Sequence, residues 1–503
     1  MNSYFTGTPL QIGNENQLLI DDTIIEDRWR LRRVMHPPDK SPRNPILVTD
    51  KPWEGDMIHG TNVIWDEEYG RYRMWYMSFF NSTYFYGNGP VEIVYHAESE
   101  DGFNWVKTMR DQVPFGRHKK TNIVHTGIHD QGTYYGNTDP SATTTRVQVA
   151  GKTQVFKDMK DPDPARRYKM ISLEGRPHPT LKEIHTGVSL LVSPDGFHWK
   201  LAGNSHLLDH SSDCLNHLVR DERNDRWLMV CRPPVWHSGR NDSQRNIRRR
   251  IAMMTSKDLV NWTYPRVVMY PDEYDTPDYD HNLVFPYGNI FIMFYGAFAG
   301  DTTGHWEMRL ATSRDGFHWE RYHTRETYMA RGPKGSWDGG GVLPSTPPIQ
   351  VGERLLLYYN GTKIGQEEQG DFIGSIGMAT IRLDRFVEQR ADQTPGYLLT
   401  KEFILQGKTL RVNMEINKST NLPERPRLRA EILRHPPFGQ HWDFKEAYEG
   451  FSFDDCDPMC IDHTDSTITW KGNKDISSLA GKPVYIRFEL VYSGIYSFRI
   501  AKE

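Results

Sequence analysis

One short phrase recurs along this 503-residue chain and limits what it can fold into. It reads SEDGFNW at Ser99–Trp105, SPDGFHW at Ser193–Trp199, SKDLVNW at Ser256–Trp262 and SRDGFHW at Ser313–Trp319, with a degraded fifth copy, LDRFVE, at Leu383–Glu388. The Asp-Gly pair predicts a tight turn, because glycine accepts positive φ without a Cβ clash, and the Trp opens a new strand. Each copy follows an alternating apolar segment: EIVYHAES, GVSLLVS, RIAMMTS, EMRLATS and GSIGMAT. A supersecondary unit returning at roughly 60–90 residues is the pattern of a propeller or solenoid. Five such units of about four strands each predict an all-β fold built on a five-bladed β-propeller. Function is then to be read from the strand ends that line its central funnel.

Residues 51–396 are expected to form the propeller, preceded by an N-terminal lead-in segment, 1–50, containing the Pro-rich stretch HPPDKSPRNP. The second blade carries an insertion rich in Gly, Thr and Tyr, roughly 121–153. After about Tyr397 the repeat stops, and strands such as LRAEILR, STITWKG and VYIRFEL continue without it. Short strands without a repeat over 397–503 predict a C-terminal β-sandwich, serving as support or as a carbohydrate contact.

Composition excludes several classes. At 37% hydrophobic and 25% charged residues the chain is globular rather than disordered. A net charge of −4 argues against nucleic acid as a partner. The longest apolar stretch, Ile290–Gly300, is far short of the ~20 residues that span a bilayer, so no membrane partner is expected. The first residues, MNSYFTGTPLQIG, lack the basic and apolar regions of a secretory signal, which makes a cytoplasmic location the expectation. Cys214, Cys231, Cys456 and Cys460 are too few for a disulfide framework, and the Cys456–Cys460 spacing has no second metal-ligand pair beside it. Neither metal nor cofactor is expected. A homo-oligomer is compatible with the sequence.

The phrases DKPWEGD, DPDPARRYKM, LVFPYG and RGPKGSWD, together with strand pairs such as NVIWDEEYGRYRMWY and IFIMFYGAF, resemble the family 32 glycoside hydrolases and their relatives in families 43, 68 and 117. The resemblance covers nearly the whole chain. It implies a five-bladed propeller with a C-terminal sandwich, and an exo-acting glycosidase that releases a terminal sugar, a furanoside by family preference. The family's W-x-N-D-P-N, R-D-P and E-C boxes do not stand intact here, so the catalytic carboxylates must be sought from the residues themselves.

In an up-and-down blade, the start of the first strand, the end of the second and the start of the third reach the same rim. Before or at the first strands stand Asp56 and His59, Asp213 and His217, Asp280 and His281, and Trp337 and Asp338. At second-strand ends stand Glu174 and Arg232, and at third-strand starts Glu92, His185, Arg248 and Glu307. Glycoside hydrolysis needs two carboxyl groups, one to protonate the leaving oxygen and one to attack the anomeric carbon or activate water. Asp56, Asp213 and Asp338 are the catalytic candidates. His59, Glu174, His185, His217, Arg232, Asp280, His281 and Glu307 are candidates to bind sugar hydroxyls, and Trp337 to stack on a sugar face. Three histidines on different blades, without ligand spacing, do not make a zinc signature. Two alternatives stand beside the hydrolase: a phosphorylase in which Arg232 and Arg248 hold phosphate, and a non-catalytic carbohydrate-binding propeller.

Overall fold

The computed structural model describes every residue except 1–7, 81–91, 128–150, 178–183, 204, 210–211, 213–214, 234–248, 323–324, 420 and 435–444. Among the described residues the protein is all-β, with a few short 3-10 turns and no α-helix. The chain forms two compact units, one of residues 38–351 and 355–380, the other of residues 1–37, 352–354 and 381–503.

The larger unit consists of antiparallel meanders. The first sheet is Met57–Asp66, Arg71–Phe79, Glu92–Ser99 and Val106–Lys107. The second is Gly151–Lys157, Tyr168–Pro177, Ile184–Ser193 and Lys200–Leu201. The third is His217–Asp221, Arg226–Cys231, Ile251–Ser256 and Arg266–Met269. The fourth is Asp278–Tyr287, Ile290–Phe298, Trp306–Ser313 and Trp319–Arg321. The last contains Gly341–Pro344, Arg354–Thr362 and Gly374–Arg382. It is joined to its neighbours by single parallel residue pairs, Trp306 with Gly341 and Gly374 with Met57.

The recurring phrase has a structural duty beyond its turn. In the first copy the Ser99 hydroxyl accepts from the Gly102 N–H at 2.9 Å, and Asp101 accepts from the N–H groups of Phe103 and Asn104. The other full copies repeat this pattern. The closed turn then docks on a neighbouring sheet. Tyr358 donates to the Gly102 carbonyl, Trp75 to the Gly196 carbonyl, and Arg226 to the Asp315 carbonyl beside Gly316. A Cβ at Gly102, Gly196 or Gly316 would lie 2.7, 2.6 or 2.8 Å from Tyr358, Trp75 or Leu228. Glycine is therefore needed twice over, for φ values of +76 to +82° and for close approach. In the third copy Leu259 holds φ +63° and packs among the apolar residues of the second and third sheets.

The lead-in segment is not one element. Within it, Asp39–Lys40 pairs with Thr380 and Ala379 as an outer strand of the last sheet of the larger unit. Residues up to Pro37 belong to the other unit. The degraded fifth phrase lacks the Trp that ends the other four copies and the Gly present in three of them. The strand after it, Val387–Ala391, pairs with Arg32–Met35 and Ser493–Ala501 instead.

That smaller unit has two six-stranded sheets. One contains Ser493–Ala501 between Val387–Ala391 and Thr409–Ile416; the other contains Pro483–Val491 between Gly396–Thr400 and Arg427–Arg434. Both contribute to one apolar cluster, including Leu398, Leu410, Ile432, Ile486, Phe498 and Ile500. Strand alternation puts these residues on the covered faces and Arg, Glu and Tyr on the opposite ones.

Candidate functional site

The first strands of successive sheets in the larger unit are laced by side chains. Thr61 and Val63 donate backbone N–H groups to Ser345 and Thr346, at 3.0 and 3.2 Å. Asn62 donates to the Thr153 carbonyl, and Gln154 binds both the N–H and the carbonyl of Leu218. His217 hydrogen-bonds the backbone of Val284, and burial drives its pKa down to about 3, so it is neutral at pH 7. These buried amides and hydroxyls bring the strand starts together.

Three of these strands carry a bulge near their start, between His59 and Asn62, Gly151 and Gln154, and Asp280 and Leu283. A bulge re-aims side chains out of the regular pleat. In the first strand the residue after His59 is Gly60, at φ +62°; in the fourth, the residue after Asp280 is His281, at φ +55°. Glycine holds such a φ freely, whereas histidine holds it at a cost of roughly 1 kcal/mol or more.

Around these bulges lies a cluster of buried charged residues. Asp280 accepts from Arg232 Nη2 at 3.0 Å and from the His281 N–H at 3.1 Å, and His281 Nδ1 stands 3.4 Å from the same oxygen. Burial pushes the Asp280 pKa up, but the charges of His281 and Arg232 outweigh it and hold the carboxyl well below its usual range. The His281 ring meets His59 edge-on at 6.0 Å, and His59 Nε2 stands 3.4 Å from Glu92. On the first and second sheets His125 Nε2 lies 2.8 Å from Glu174 Oε1. Beside Asp280, the buried Asp278 accepts from the Arg249 N–H. All are buried or nearly so, in a region where an isolated charge is costly and a paired one is held in place.

Of the residues expected at the rim, His59, Glu174, Arg232, Asp280 and His281 belong to this buried set, with Glu92. His217 is buried near them as a link between strands. Asp56 is exposed just before the first strand, and its carbonyl accepts from the Gly374 N–H. Asp338 is buried but held by Lys40 Nζ at 2.6 Å, with Ser336 and Tyr359 also donating to it. Trp337 is not an open platform. A Cβ on Gly361 or Gly377 would come within 2.3 or 2.5 Å of its ring, so the indole lies against the last sheet and beside Tyr359. Glu307 is partly exposed and accepts from Thr327 at 2.6 Å. His185 pairs with Arg176 in the second sheet, and its side chain lies outside the described residues. Asp213 and Arg248 also lie outside them. Sequence reading passed over His125 and Asp278. Asp278 stands two positions before Asp280 in one strand, which was the signal available for it.

No protein-family model matches the chain, and no curated protein matches it significantly. Among solved structures it is similar to an N-acetylgalactosamine deacetylase from F. plautii, at 16% identity over 71% of this chain and 97% of that one, TM-score 0.44. It is similar to a glycosyl hydrolase from Bacteroides ovatus, at 12% identity over 74% and 98%, TM-score 0.46. It is also similar to a β-1,2-mannobiose phosphorylase from Listeria innocua, at 13% identity over 69% and 97%, TM-score 0.46.

Chemically, the cluster offers two carboxylates paired with cations, Asp280 with Arg232 and Asp278 with Arg249, and two carboxyl groups, Glu92 and Glu174, each beside a histidine. Such a set supplies both a base and a proton donor. Among the described residues no group of three or more His, Cys, Asp or Glu is placed to hold a metal ion.

Proposed function

We propose that the protein is a glycoside hydrolase whose five sheets are the blades of a propeller. It releases a terminal sugar, a furanoside by its family resemblance, from an oligo- or polysaccharide. The observation that carries the reading is the meeting of Asp280, Arg232 and His281 with His59 and Glu92 near the ends of strands from different sheets. Asp280, ionised, acts as base or nucleophile toward the anomeric carbon. Glu92, buried beside His59, donates the proton to the leaving oxygen. Glu174 and His125 bind sugar hydroxyls. Asp213, which lies outside the described residues, is the alternative acid from the sequence. Arg232 is paired with Asp280 and Arg249 with Asp278, which favours water over phosphate as the acceptor.

The test is a screen of purified protein on fructo-, arabino- and galactofuranosides and on pyranosides, with and without phosphate. Asp280→Asn, Glu92→Gln and Asp213→Asn run beside the wild type. Monosaccharide release that falls at least about 1,000-fold in Asp280→Asn, with the fold retained, supports the reading. Release only with phosphate replaces it with phosphorolysis. Sugar binding without any turnover replaces it with a binding module.

A further inference from the structure

The smaller unit carries a second surface with the chemistry of a sugar site. Trp29 and Tyr397 are register partners on adjacent strands, so they project from the same face of their sheet. Their rings are nearly parallel, 18° apart with centroids at 6.0 Å, and Phe453 continues the row 6.2 Å from Tyr397. Trp29 is 53% exposed, unusual for so large an apolar side chain. The three rings, with Asp27, Arg28 and Arg487, line an open, shallow groove on the sheet face.

Side chains beside the rings orient them. Tyr397 donates to Glu489 at 3.2 Å, Arg429 and Arg487 lie 5.5 and 5.4 Å from the Phe453 centroid, and Arg30 lies 4.1 Å from that of Trp29. Preorganised aromatic faces bind at low entropic cost. The C–H face of a sugar ring is apolar and its edge is a band of hydroxyls, so aromatic floors rimmed by carboxylate and guanidinium groups suit it. Charge narrows the ligand further. Arg28 is balanced by Asp22 at 2.8 Å and Arg487 by Glu431, so a neutral glycan fits better than a uronate or phosphate. Three rings interleaved with charges make a small footprint, whereas stable protein interfaces bury roughly 1,200–2,000 Å².

We infer that this groove binds a neutral polysaccharide chain, separately from the cluster around Asp280. The proposal does not rest on the hydrolase reading and survives its failure. The test is affinity electrophoresis of the full chain through gels containing inulin, linear arabinan or β-mannan, with polygalacturonate as the charged comparison. The expected result is retardation by at least one neutral polysaccharide. Retardation should fall at least tenfold in apparent affinity for Trp29→Ala and Tyr397→Ala, and be restored by Trp29→Tyr. Unfolding curves for Trp29→Ala check that the fold is kept, which its exposure favours. Three outcomes overturn the proposal: no retardation by any neutral polysaccharide, retardation unchanged in both alanine variants, or a wild-type dimer in sedimentation that Trp29→Ala dissolves, which would make the face a self-interface.

Discussion

His59 and His281 come from the first and fourth sheets of the larger unit, and their rings meet edge to face with centroids 6.0 Å apart. Both stand at a bulge, but only one bulge has a glycine at its left-handed position. Gly60 follows His59 at φ +62°, while His281 itself occupies the equivalent place at φ +55°. A histidine there holds backbone strain that glycine would not. His281→Gly is expected to change stability by no more than about 1 kcal/mol, because relief of φ strain offsets the lost contact to Asp280. Turnover should fall at least about 100-fold. Urea unfolding and steady-state kinetics check the pair of outcomes. A large loss of stability would mean that His281 is structural.

Asp280 and Arg232 form a buried pair at 3.0 Å, and removing one partner leaves the other charge uncompensated. Asp280→Asn and Arg232→Met should each cost about 3–5 kcal/mol. The double variant should cost clearly less than their sum. A double-mutant cycle by urea denaturation reads the coupling, and strict additivity would refute the pairing.

Acid sensitivity should begin near neutrality. His217 is buried and its folded pKa lies at about 3, below the ~6.5 of an unfolded histidine. Between these values the unfolded chain binds the extra proton, so stability is complete above about pH 6.5 and falls as the pH drops toward 3. The slope is about 1.4 kcal/mol per pH unit, roughly 2 kcal/mol by pH 5. Burial, with Arg73 and Arg110 nearby, also drives the His96 pKa well down, and it adds in the same direction. Urea midpoints at pH 7.5 and 5.0 test this, and His217→Gln should reduce the difference.

Asp338 is held by Lys40 at 2.6 Å and shielded from solvent. Lys40→Met should therefore destabilise by about 3 kcal/mol, since it strands a buried carboxylate. The folded fraction should keep its kcat. A selective loss of kcat in Asp338→Asn at unchanged stability would instead return Asp338 to the chemistry.

The turn phrase makes a prediction of its own. Gly196→Ala places a Cβ 2.6 Å from the Trp75 ring at a φ of +79°, and Gly102→Ala one 2.7 Å from the Tyr358 hydroxyl at +76°. Each should cost about 2–3 kcal/mol, from backbone strain together with overpacking. Thermal unfolding of the two variants reads the effect, and a cost below about 1 kcal/mol would mean that the docked turn yields easily.

The strands and turns of this protein were legible in its sequence because they depend on neighbours in the chain. Period-two alternation marks a strand, and Ser-x-Asp-Gly closes a turn through bonds spanning two or three residues. The same logic placed Asp280, His281, His59 and Glu174 at strand ends. Partner choice was not legible, because it depends on residues far apart in sequence that only the folded chain brings together. Lys40 meets Asp338, Arg232 meets Asp280, and Trp337 lies on glycines of two later strands. The division of residues 1–50 between two units is also such a long-range choice, made by strand edges near Thr380 and in the smaller unit. Local geometry determined which residues could reach the rim, and tertiary packing decided which carboxylates are held by cations and which by histidines.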